Sequence, residues 1–217
     1  MTKHEIRRRI ADVGIIPVVR ASTPQQALLA ADAVRAGGIP IVEVTMTVPG
    51  AIDVIAQLAK SAGNDVLIGA GTVLDPETAQ RCLDAGAMFL VSPGFDRPTV
   101  TLARSRNVLM IAGALTPTEV ITAWQAGSDL VKIFPCEMVG GAKYIKALKG
   151  PLPQVPMVPT GGVNLATAAD FIRAGAEALG VGGELVSASA LKSGNTHEIT
   201  DAARRYVSIV QETRLKG

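Results

Sequence analysis

Histidine is scarce in this chain, with only His4 and His197, both near the ends. A three-histidine metal site or a histidine-centred triad is therefore excluded unless the termini fold back over the core. Two cysteines, Cys82 and Cys136, cannot build a disulfide framework or a four-cysteine zinc site. They read as small buried apolar residues in a reducing cytoplasm, and neither a metal nor a cofactor is expected. Aromatic residues make up 3% of the chain, and 21 Lys plus Arg face 19 Asp plus Glu with no basic run beyond Arg7-Arg8-Arg9. A nucleic-acid partner would want stacking platforms and a basic stripe, so none is expected. No apolar run approaches the roughly 20 residues needed to cross a bilayer, and the start Met-Thr-Lys-His-Glu lacks a signal peptide's apolar core. A soluble, cytoplasmic protein without membrane association is the expectation.

What the chain does have is apolar mass, with 48% hydrophobic and 18% charged residues over 217 positions. That suffices for one well-buried core. Short β-branched runs recur at 15–19, 41–45, 66–70, 88–92, 108–112, 129–134, 155–159 and 177–182. Each is continuously apolar instead of alternating, as strands covered on both faces are in a parallel sheet. Between them lie helix starts such as Thr23-Pro24, Asp75-Pro76, Asp96-Arg97-Pro98 and Thr116-Pro117, with a capping oxygen followed by proline in the first turn.

An Ala-Gly pair followed by a small residue recurs at 36–38, 85–87, 126–128 and 174–176, at intervals of 49, 41 and 48 residues. Each interval spans two strand-helix units. Gly37, Gly86, Gly127 and Gly175 are then expected as left-handed caps ending every second helix of a fourfold βαβα array. The predicted fold is α/β, a single (β/α)8 TIM barrel over residues 1–217, with amphipathic helices at 2–12 and 198–213 flanking it. An open doubly wound sheet is the alternative.

Barrel chemistry sits at the C-terminal ends of the strands, which limits the candidates. Lys132 is the one lysine embedded in an apolar strand, between Val131 and Ile133. Burial favours the neutral amine, which can condense with a keto group to form a Schiff base. Glu43, the one acid inside a strand run, could move the protons that such chemistry requires, or it could simply pair with Lys132. Thr160-Gly161-Gly162 after strand 7 and Gly182-Gly183 after strand 8 occupy the two loops where barrels often build a phosphate site; two tight turns are the plainer reading. Arg20, ending strand 1, could clamp a carboxylate or be a surface arginine. Thr45, Thr47, Thr72 and Ser92 offer hydroxyls.

The segments PVVR (17–20), GGIPIVEVTMTVPGA (37–51), IGAGTVLDPE (68–77), AGAMFLVSPG (85–94), VKIFPCEMVGG (131–141), KALKGPLPQVPMVPTGGV (146–163) and GVGGELV (180–186) carry a resemblance. Over nearly its whole length the chain resembles the 2-keto-3-deoxy-6-phosphogluconate (KDPG) and 4-hydroxy-2-oxoglutarate (KHG) aldolases, class I lyases on a (β/α)8 barrel. The resemblance implies that Lys132 forms the Schiff base with pyruvate and that Glu43 transfers protons. It implies that Phe134 and Pro93 line the pyruvyl pocket, Thr72 holds the carboxylate, and Thr160 contacts the substrate. The N–H groups of Gly161, Gly162, Gly182 and Gly183 would hold the phosphate, and the small-molecule substrate would be a phosphorylated 2-keto-3-deoxy sugar acid. A homotrimer is implied as well. Two departures stand out: Thr47 lies where one branch has a carboxylate-binding arginine, leaving Arg20 for that work, and Gly183 lies where a serine is usual. Aldolases acting on the galactonate epimer or on unphosphorylated 4-hydroxy-2-oxoglutarate are same-class alternatives. A phosphosugar isomerase or epimerase and a non-catalytic phosphosugar-binding barrel are the rivals of other classes.

Overall fold

Eight parallel strands carry the molecule: β1 Ile15–Val19, β2 Ile41–Thr45, β3 Leu67–Gly71, β4 Phe89–Val91, β5 Leu109–Ala114, β6 Leu130–Ile133, β7 Met157–Pro159 and β8 Leu179–Val181. They pair in chain order, β8 returns to β1, and a parallel bridge between Thr160 and Gly180 joins the remaining edges. The computed structural model describes residues 1–63 and 65–216. Every residue of every strand is buried, as the continuous apolar runs require of a sheet filled inside and covered by helices outside. Strands β4, β6, β7 and β8 are shorter than their runs, whose end residues still bond to the neighbouring strand: the Met88 N–H donates to the Ile68 carbonyl at 2.7 Å and the Asp129 N–H to the Met110 carbonyl at 2.8 Å.

The connecting helices are α2 Pro24–Ala36, α3 Ala51–Ser61, α4 Pro76–Asp84, α5 Arg97–Ser105, α6 Pro117–Ala126, α7 Ala142–Lys149 and α8 Ala168–Arg173, with α9 Ala188–Ser193 after β8. Thr23, Asp75, Asp96 and Thr116 each cap a helix by accepting an N–H three residues on, with proline in the first turn. Of the flanking helices, α1 is Lys3–Val13, shifted by one residue from the expected 2–12, and α10 is Thr196–Leu215, longer at both ends than the expected 198–213. No helix among the described residues is long and apolar enough to cross a membrane.

The cap expected at Gly37 is displaced by one residue. Gly86, Gly127 and Gly175 take left-handed φ of 103°, 100° and 95°, but Gly37 has φ −82° and the left-handed residue is Gly38, at 94°. Backbone conformation favours glycine at Gly38, and packing requires it at Gly37, where a Cβ would lie 2.4 Å from the Ala203 Cβ and 2.6 Å from the Thr200 carbonyl oxygen. Helix α10 thus crosses α2 at contact distance, and the Thr200 hydroxyl donates to the Ala33 carbonyl at 3.0 Å.

Candidate active site

Strand register brings the predicted groups to one face. Glu43 pairs with Val18 and Gly69, while Thr45, two residues on, pairs with Gly71, which pairs with Val91, which pairs with Ile111. Gly113, two residues past Ile111, pairs with Lys132, which pairs with Val158. Side chains two apart share a face, so Glu43, Thr45 and Lys132 all point into the barrel.

Space for them comes from glycines on that same face. A Cβ on Gly71 would meet the Glu43 carboxylate oxygen at 2.0 Å, one on Gly69 the Phe89 ring at 2.1 Å, and one on Gly180 the Thr160 Oγ at 2.2 Å. At Gly113 the obstacle would be the Pro93 backbone, at 2.1 Å, so the β4 loop folds over the strand that pairs with Lys132. Strand glycines mark such close approaches; Gly69, Gly71, Gly113 and Gly180 were not among the expected site residues.

Lys132 is 6% exposed and Glu43 2%. They form no ion pair among the described residues, so the simple structural pairing is not what holds the lysine. Its ammonium instead lies 5.3 Å from the centre of the Phe134 ring. Burial raises Glu43 above the usual carboxylate range, opposed by the charges of Lys132 and then Arg20. A carboxyl so placed keeps its proton to higher pH than a solvated one.

The sign of that shift gives a stability prediction. A group whose folded value is raised stabilises the fold at low pH and loses that contribution as pH rises through the raised value, above the ordinary 4.5. Glu43→Gln should therefore be more stable than the parent at neutral pH, by on the order of 1 kcal/mol or roughly 2–4 °C in Tm. It should also show a flatter Tm between about pH 5 and 8. Thermal melts across that range test this; a variant that melts below the parent at the upper end would contradict it.

The two glycine loops meet in a cavity of about 130 Å³ whose lining includes Arg20, Phe134, Thr160, Gly161, Gly162 and Gly182, with Gly183 also at its wall. Gly161 and Gly162 adopt φ of 87° and 80°, a conformation that favours glycine. Among the described residues, no backbone or side-chain acceptor takes the N–H groups of Gly161, Gly162, Gly182 or Gly183. The loop is fixed from behind: the Thr167 hydroxyl donates to the Gly162 carbonyl at 2.9 Å, and the Asn164 side chain accepts the N–H groups of Ala166 and Thr167 at 2.9 and 3.0 Å. The Arg20 guanidinium lies 3.7 Å from where a Gly182 Cβ would be. These backbone donors and the Arg20 guanidinium surround a small cavity that Glu184 also lines, a set of groups able to hold an anion.

The other predicted residues are more dispersed. Thr47 is exposed and its hydroxyl bonds Thr45 Oγ at 2.6 Å, while Thr45 donates to the Val19 carbonyl at 2.9 Å. Thr72 is half-buried just past β3. Ser92 serves its own loop, donating to the Gly94 carbonyl at 2.7 Å. Both cysteines are buried, and burial pushes the Cys82 thiol up to about 11 and the Cys136 thiol up to about 12, which makes them inert at neutral pH. The Lys149 ammonium donates to the Val155 carbonyl at 2.7 Å and ties α7 to the approach to β7.

Residues 6–202 match the family model described as KDPG and KHG aldolase. The chain is 37% identical over 199 residues to the 2-dehydro-3-deoxy-phosphogluconate aldolase of Treponema pallidum (strain Nichols), covering 91% of this chain and 94% of that one. It is 36% identical over 194 residues to the KHG/KDPG aldolase of Escherichia coli (strain K12), covering 89% and 90%. Among solved structures, the KDPG aldolase from Legionella pneumophila, with pyruvate captured at low pH as a covalent carbinolamine intermediate, is similar with a TM-score of 0.85. Its identity is 32%, and the match covers 91% of this chain and 96% of that one.

Proposed function

Because the chain belongs to the KDPG and KHG aldolase family, we propose that it cleaves 2-keto-3-deoxy-6-phosphogluconate reversibly to pyruvate and D-glyceraldehyde 3-phosphate. It is an aldolase, hence a lyase, of the Schiff-base class. The observation that carries the proposal is a buried lysine without an ion-pair partner sharing the barrel interior with a buried carboxyl.

The neutral Lys132 amine adds to the C2 keto carbon, giving a carbinolamine. Glu43, held above its usual range by burial, donates a proton to the departing hydroxyl, so that water leaves and an iminium forms. The carboxylate then takes the proton of the C4 hydroxyl. The C3–C4 bond breaks, its electron pair enters the iminium to give an enamine, and the aldehyde departs. Protonation of the enamine at C3 and addition of water free pyruvate and restore the lysine. None of these steps calls on a metal or organic cofactor.

Thr72, Pro93 and Phe134 surround the pyruvyl group, Thr160 contacts the chain of the sugar acid, and Arg20 with the four glycine N–H groups takes the phosphate. Thr47 reaches the substrate from the rim. A homotrimer, which the family resemblance implies, is tested by sedimentation against the chain mass of 22.4 kDa.

The phosphate assignment is tested by comparing kcat/KM for the six-carbon phosphorylated acid, its galactonate epimer and 4-hydroxy-2-oxoglutarate. Loss of several charge-assisted contacts should leave the unphosphorylated substrate at least about 100-fold poorer. Equal efficiencies would transfer the proposal to 4-hydroxy-2-oxoglutarate.

A further inference from the structure

The cavity between the two glycine loops carries a charge that holding a phosphate does not call for. Among the described residues lining it, Arg20 is the one cation and Glu184 the one acid. They share the wall without pairing, and Glu184 forms no ion pair with any other cation among the described residues. Burial and then the charge of Glu184 push the Tyr206 hydroxyl above its usual range, yet that buried hydroxyl has no hydrogen-bond partner and so does not engage the carboxylate. The backbone that carries Glu184 is fixed. Leu185 and Val186 are buried, and both of their N–H groups donate to the Gly182 carbonyl at 2.9 Å. Glu184 itself is exposed, so core packing does not explain it. A second carboxyl group backs the other loop: the Glu137 carboxyl carbon would lie 2.8 Å from a Cβ on Gly162.

A terminal phosphate carries about −1.5 to −2 charges at neutral pH. Arg20 and the loop N–H groups attract it, whereas a carboxylate on the same wall repels it. A cavity of about 130 Å³ is too small to separate the two anions by more than the screening length of about 8 Å at physiological ionic strength. Like charges this close to solvent oppose each other by about as much as a good surface ion pair gains, which is roughly fivefold in affinity. Resting on the aldolase and phosphate reading above, we infer that Glu184 is a specificity-determining residue whose charge holds down the affinity for the phosphorylated end of substrate and product. Two consequences follow for the reaction. The phosphorylated aldehyde leaves more readily once the C3–C4 bond has broken, and the advantage that a phosphate gives a substrate is narrower than Arg20 and the N–H groups alone would make it.

Cleavage of 2-keto-3-deoxy-6-phosphogluconate and of the same acid without its phosphate is compared in the parent, Glu184→Gln, Glu184→Ala and Glu184→Asp. The ratio of the two kcat/KM values should rise about fivefold in Glu184→Gln and Glu184→Ala, through a lower KM for the phosphorylated acid. Inhibition by glyceraldehyde 3-phosphate should tighten in step. Glu184→Asp keeps the charge, so its ratio should stay within about twofold of the parent's. The rise should shrink as ionic strength goes from about 0.05 M to about 0.5 M. A ratio that is unchanged or falls when the charge is removed overturns the inference, as does a rise that salt leaves untouched. So does a Glu184→Asp variant that matches Glu184→Ala, since side-chain length and not charge would then be the cause. A parent that cleaves the two acids equally would instead overturn the phosphate reading, and one that cleaves neither would overturn the aldolase reading.

Discussion

Lys132→Ala should keep its fold and lose at least about 10⁴-fold in kcat, because no other amine in the barrel interior can form the iminium that makes the C3–C4 bond breakable. Lys132 is the one lysine among the buried polar residues, at 6% exposure, and the other lysines stand on helices, in loops or near the chain ends. The fold should survive, since the substitution removes an ammonium that has no ion-pair partner, and replacing a desolvated charge by a small apolar group is often neutral or stabilising. Steady-state cleavage and a thermal melt of the same preparation separate the two effects. Activity within about tenfold of the parent, on a chain that still melts cooperatively, would remove Lys132 from the mechanism.

Gly162→Ala should strike the other half of the site. Its φ of 80° is unfavourable to a side chain, and a Cβ would lie 2.4 Å from the Glu137 Cβ. The loop must shift, and with it the N–H groups that face the small cavity. Phosphorylated substrate should lose about 100-fold or more in kcat/KM, whereas trapping of pyruvate on Lys132 should persist, because the amine stands on β6 and is untouched. Both reactions are followed on one variant. Loss of pyruvate trapping in parallel would mean that the glycine loop supports the barrel as a whole and is not a separate phosphate site.

Much of this was legible from particular residues. The continuous apolar runs and the Thr-Pro and Asp-Pro starts gave eight strands and their helices, since burial on both faces and side-chain capping leave local signatures. Lys132 and Glu43 stood out because a charge inside an apolar run has few physical readings. The exchange of Gly37 for Gly38 as the left-handed residue was not legible, because it depends on how closely α10 crosses α2. Nor was the role of Gly69, Gly71, Gly113 and Gly180, whose missing side chains are explained by neighbours far along the chain. Arg20 read as a strand-end cation with a carboxylate to hold; that its guanidinium lies beside Gly182 follows from barrel closure and from no local pattern.

The central claim is a covalent bond between Lys132 and the keto carbon of the substrate. Incubation with pyruvate and borohydride, followed by digestion and mass spectrometry, tests it directly. The account predicts one reduced pyruvyl adduct, located on Lys132 and absent without pyruvate. An unmodified Lys132, under conditions that label another Schiff-base aldolase, would contradict it and favour an isomerase or epimerase in which Lys132 serves as a charge partner of Glu43.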